Sequence, residues 1–251
     1  SAMTGGMIPK EIAVFKAASL IESNISTATF NFDNGKITAK TNNYYNKELA
    51  AFFKDNKGGN LNEDMLKKIP GQNVSAVIAM NYPPSGLAAF LKLLGVDGMA
   101  NGFLSQAGFS VEDFVKANKG DLVIAVSDFE VAEKETTIDM GSGKPYVYKT
   151  TRPDAKVFFA ASVKDKGAFE KLIDVVKQQM KDEGGGAEEA MGIKYELKDN
   201  WFIASNDAAN ISGFGAANTN HAFISKISGH PYGGYIDIQK FISGYKGKEG
   251  S

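Results

Sequence analysis

Three aspartates, Asp121, Asp128 and Asp207, are the residues whose type and placement best suit chemistry. Each flanks a short apolar run. If those runs lie in one sheet, the carboxylates line one rim, where a pair can do acid–base work or bind calcium. The plainer reading is that Asp128 and Asp207 end strands and begin turns or helices, as aspartate commonly does. On that reading no catalytic, cofactor-binding or metal residue is assigned. Asp121, Asp128 and Asp207 stay as candidates only if a cleft unites them.

Other motifs fall short of the chemistry they suggest. Met140-Gly141-Ser142-Gly143-Lys144-Pro145 has the end of a phosphate loop. Such a loop needs glycine five residues before Gly143, where Ile138 stands, and Ser or Thr after the lysine, where Pro145 stands. A hairpin turn is expected instead. Gly213-Phe214-Gly215 supplies two glycines of a dinucleotide fingerprint without a βαβ setting. His221 and His230 are not spaced to share a helix face as metal ligands, and both read as solvated loop residues. Neither builds a Ser–His–Asp triad. Asp33-Asn34-Gly35 lacks the further oxygens of a calcium loop and reads as a hairpin turn. Asn24, Asn73 and Asn210 head Asn-X-Ser triplets, which accept glycans in eukaryotic secretion. Trp201, the single tryptophan, reads as core. No cofactor is expected.

Composition narrows the class. The 251 residues hold 28 basic and 29 acidic side chains, a formal net charge of −1. That gives no global field for nucleic acid. The absence of cysteine excludes disulfides, thiolate metal sites and a cysteine nucleophile. The longest apolar stretches, near 74–80, 87–94 and 122–126, are far short of the roughly 20 residues that span a bilayer. Ser1-Ala2-Met3 reads as a tag remnant, so 1–8 is taken as tag and linker.

The elements that must position these residues follow from periodicity. A helix is expected over 9–23, a hairpin over 27–43, and short helices over 46–54 and 62–68. The nearly continuous apolar run 74–80 reads as a buried strand. Pro83 and Pro84 open a helix with Leu87, Phe90, Leu91 and Leu94 on one side. Short helices are expected at 97–106 and 110–117, and a strand at 122–126. A hairpin pairs 129–138 with 145–151. Then come a strand at 156–163, a helix at 165–181 striped by Phe169, Leu172, Ile173, Val176 and Met180, and a hairpin of 193–197 with 201–205. Asp207 caps a short helix.

Lys119–Asp128 (KGDLVIAVSD) and Lys198–Asp207 (KDNWFIASND) align without gaps at an offset of 79 residues. Extended outward, the likeness gives two strand–helix–insert–strand units, about 73–128 and 155–207. Partial units flank them, one beginning near Gly234. The expected fold is α+β: residues 9–251 form one body of mixed or mainly antiparallel sheet covered by helices. The chain is expected to be a fragment of a larger protein, with an engineered end at 247–251.

The segment 27–54 (TATFNFDNGKITAKTNNYYNKELAAFFK), Ile69-Pro70-Gly71 leading into 73–80, and 120–128 resemble an uncharacterised Bacteroidetes family, a domain of unknown function whose members are larger exported proteins and often lipoproteins. The resemblance covers about residues 9 to 241. It rests on structural signatures and carries no catalytic residue. It implies an exported, extracytoplasmic protein, periplasmic or on the cell surface, held by a lipidated cysteine upstream. The leading expectation is a non-enzymatic structural or interaction role with a protein or glycan partner in the cell envelope. The alternatives are a carboxylate-based hydrolase or glycan-acting protein, and a small-ligand or lipid-binding module.

Overall fold

The structure, a computed structural model, describes residues 10–33, 36–138, 146–182, 192–216 and 220–246. The fold is α+β, and every strand pairing is antiparallel. Helix α1 (Lys10–Ile21) leads into a separate hairpin, β1 (Ile25–Asp33) with β2 (Lys36–Tyr44). Asn46 then joins the hairpin to the next helix. Its side-chain oxygen accepts from Leu49 N–H to cap α2 (Lys47–Asp55), and its amide donates to Leu20 C=O.

The main sheet has six strands: β3 (Val74–Asn81), β4 (Asn118–Ile138), β5 (Tyr146–Val163), β6 (Lys194–Lys198), β7 (Trp201–Ser205) and β8 (Tyr232–Ile236). Their order across the sheet is β6-β7-β5-β4-β3-β8. Side chains alternate between faces along each strand. Val77, Ala79, Val123, Ala125, Phe158, Ala160 and Ile203 fall on one face and are buried. That face packs under α3 (Glu63–Leu66), α8 (Ala208–Gly213) and α9 (Ile224–Ile227), with Leu61, Phe214 and Phe223 filling the layer.

Among the described residues the opposite face is covered at one side only. Helix α7 (Lys166–Asp182) lays Phe169, Leu172 and Ile173 over Phe159, Ala161, Leu197 and Phe202. Asp165 starts this helix by accepting from Ala168 N–H at 2.8 Å. Helices α4 (Pro84–Leu94), α5 (Asp97–Gln106) and α6 (Val111–Ala117) link β3 to β4, and α6 lies along α7. Helix α10 (Ile238–Lys246) closes on the middle of β4 through Phe241 against Phe129.

Several expectations are corrected. β4 and β5 are continuous strands of 21 and 18 residues rather than pairs of shorter ones. The strand end expected at Asp128 is instead a bulge between Ser127 and Glu130, where Asp128 takes φ +49°, and the ladder resumes beyond it. The expected turn at Gly141-Ser142-Gly143 lies outside the described residues. The apolar run of β3 is buried on one face alone, because among the described residues no helix covers Ile78. In α4 the side turned inward carries Gly86, while Leu87 and Phe90 are exposed.

The ten-residue strings also differ in facing. Ile124 points to the partly open face, whereas Ile203, its counterpart at an offset of 79, is buried on the other. A slip of one residue reverses every side chain of a strand. At the element level β3 pairs with β4 and β5 with β7, while β8 joins the far edge beside β3.

Candidate functional site

Asp128 and Asp207 come together, and a lysine that sequence spacing did not single out joins them. Lys156 Nζ donates to Asp207 Oδ2 at 2.9 Å and to Asp128 Oδ2 at 3.2 Å. The three residues come from the β4 bulge, the middle of β5 and the exit of β7. Only the β4–β5–β7 pairing brings them together. Asp121 stands apart at the other end of the sheet, where its Oδ1 accepts from Asn81 Nδ2 at 2.6 Å and its N–H donates to Ser162 Oγ. The expected rim of three carboxylates is therefore a pair and a separate residue.

Asp207 is fixed from below. Its Oδ1 accepts from Ala209 N–H at 2.7 Å, capping α8. Its own N–H donates to Ser205 Oγ at 3.1 Å. The Ser205 hydroxyl donates onward to Val157 C=O at 2.7 Å and accepts from the buried Asn210 amide. Asn210 is buried, so the Asn-X-Ser triplet it heads is structural. The Lys156 ammonium and then the Ala209 N–H hold the Asp207 carboxyl below the usual carboxylate range. The same contacts, to Asp207 and then Asp128, raise the Lys156 ammonium above its ordinary value. Asp128 and Lys156 border an open surface groove of about 410 Å³ with Asn73, Phe129 and Glu130.

The chemistry of this cluster is restricted. The two carboxylate oxygens on Lys156 Nζ are at most about 6 Å apart, a bound that admits the roughly 5–5.5 Å spacing of retaining glycosidases. A general acid, however, must keep its proton near neutral pH. Asp207 is driven the other way, and the lysine occupies the space between the oxygens. Among the described residues no group of three or more His, Cys, Asp or Glu is placed to hold a metal ion.

His221 is corrected from a solvated residue to a buried one, 9% exposed, stacked on Phe223 with Nε2 3.2 Å from Ile69 C=O. Burial, followed by the nearby Lys240 charge, opposes its protonation and lowers its pKa; the Ile69 contact acts in the other direction. His230 is exposed, as expected. Trp201 packs against the core through Phe214.

The largest feature sequence reasoning missed is apolar. Across the uncovered face the register aligns Ile236, Ala76, Val126 and Val157 in one row, and Gly234, Ile78, Ile124 and Phe159 in the next. Ile78 is 54% exposed, Ile124 38%, Val157 41% and Ile236 66%. The signal is the continuous apolar run of β3, which a strand buried on both faces and a strand with one open apolar face share. Among the described residues no single helix is long and apolar enough to cross a membrane; α4 and α5 reach that composition only as a pair bent by 117°. No family model, no curated protein and no solved structure matches the chain.

Proposed function

We propose that this protein is a non-enzymatic, extracytoplasmic component of a bacterial cell envelope, working by contact with another protein. The uncovered apolar face over Ile78, Ile124, Val157 and Ile236 carries this reading. Contiguous exposed apolar surface is costly in a soluble domain and marks an interaction site. The resemblance of 27–54, 69–80 and 120–128 to a Bacteroidetes family of exported proteins supports the compartment. It also supports a lipid anchor outside this chain.

A carboxylate-based hydrolase is the second reading, favoured by the close approach of Asp128 and Asp207. One pair of measurements separates the two. A photo-crosslinking residue at Ile124, in the intact envelope, is expected to give a discrete protein adduct that Ile78→Lys abolishes. Absence of that adduct, together with turnover of a glycan or ester that Asp207→Asn removes, would reverse the assignment.

A further inference from the structure

Among the described residues β8 is an edge of the six-stranded sheet with no strand beyond it. Its bonds to β3 are framed by Asn81 N–H donating to Pro231 C=O at 2.7 Å and Asp237 N–H donating to Ser75 C=O at 2.8 Å. Hydrogen-bonded residues alternate along an antiparallel strand, so Gly233 and Tyr235 also face β3. Tyr232, Gly234 and Ile236 turn their N–H and C=O groups outward. Among the described residues no backbone group takes these donors and acceptors.

The two edges of the sheet are built differently. β6 at one edge reads Lys-Tyr-Glu-Leu-Lys, and charges of this kind block edge-to-edge pairing. β8 reads Tyr-Gly-Gly-Tyr-Ile and carries no charge. Its sequence is also self-complementary. Laid antiparallel against itself about a two-fold axis at Gly234, Tyr232 meets Ile236, Gly234 meets Gly234 and Gly233 meets Tyr235. This register matches all three outward residues of one strand with those of the other. The exposed Tyr232 and Ile236 become a cross-strand aromatic–aliphatic pair.

We propose that β8 is a homodimerisation edge, pairing antiparallel with β8 of a second copy about an axis at Gly234. The occupant is a copy of this chain because β8 carries no charge to oppose its own like and its exposed Tyr232 and Ile236 meet each other across the axis. With a net charge of −1, two copies meet little mutual repulsion. A five-residue strand pair buries less than about 1,000 Å² in total, so the dimer is of the weak, reversible class. The inference uses the backbone of the sheet edge and, of the open face, only Ile236 at its margin.

The chain has no cysteine, so single cysteines read the register directly. On the axis, the two copies of residue 234 lie about 5.5 Å apart between Cα atoms, within disulfide reach. A Cβ at 234 meets nothing closer than Val77 C=O at 3.8 Å. Gly234→Cys is expected to oxidise to a covalent dimer, while Tyr232→Cys and Ile236→Cys, each roughly 13 Å from its own copy, do not. Sedimentation of the unmodified chain from about 1 to 500 µM, a range that brackets weak association, should show monomer passing to dimer. Gly234→Pro removes an outward N–H without touching the β3 ladder and should stay monomeric; if it misfolds, as judged by Trp201 fluorescence, Ile236→Lys replaces it. A chain monomeric throughout, equal crosslinking at 232, 234 and 236, or a folded edge variant that still dimerises would overturn the proposal.

Discussion

Ser75 and Ser205 are both buried hydroxyls, and their surroundings set opposite expectations. Ser205 Oγ donates to Val157 C=O and accepts from Asp207 N–H and the Asn210 amide. Ser205→Ala strands three polar groups and should cost about 2 kcal/mol in urea denaturation. Ser75 Oγ is buried with no partner among the described residues. Ser75→Ala should be neutral or stabilising by up to about 1 kcal/mol, and a clear loss would mean that its hydroxyl is satisfied in solution. Lys156→Met removes the cation first among the causes that lower Asp207. Its carboxyl should titrate closer to an ordinary aspartate by NMR, whereas an unmoved titration would show that the Ala209 N–H alone sets it. The helix-capping role of Asp207 was legible from its position before a short helix. Lys156 was not, because its partners lie on two other strands and no local spacing reports that proximity.

Elements depend on where the backbone must approach itself. Gly120 lies in the irregular stretch between Asn118 and Leu122, with φ +116°. A Cβ there would collide with Tyr82 C=O, the residue whose N–H donates to Gly120 C=O at 2.8 Å. Gly120→Ala therefore combines backbone strain with a backbone clash and should destabilise by about 3 kcal/mol, measured by thermal or urea unfolding. A loss under about 1 kcal/mol would show that the β3–β4 junction yields easily. At this scale α7 and the β6–β7 hairpin could be read from sequence. The hairpin turn at Asp199-Asn200 takes positive φ at both residues, as a two-residue connection requires. Periodicity identified the apolar positions of β3 and α4 but not which were covered. Coverage depends on where the distant helices α7, α3 and α9 dock.

For the whole molecule, pH acts through the one buried imidazole. The unfolded chain protonates His221 near the usual value of about 6.5, while the folded chain resists protonation there. The unfolded state thus binds more protons below that pH, and stability falls as pH drops through it. The midpoint of thermal unfolding should decline between about pH 6.5 and 5, and His221→Gln, which can still donate to Ile69 C=O, should flatten the decline. An identical slope in the variant would assign the effect elsewhere. Asp113, Asp165 and Asp207, all lowered by their partners, add their own losses at more acid pH. The α+β class was legible because strand and helix periods alternate clearly along the chain. The strand order was not, since β8 passes β7 and pairs with β3, across more than 150 residues. That pairing has a mechanical consequence. The start of β3 lies beside the end of β8, with Ala76 opposite Ile236, so tension applied through the chain's two ends loads one end of their ladder. The bonds then part in series, as in a zipper, and β8 peels from the sheet at low force while β4 and β5 remain paired.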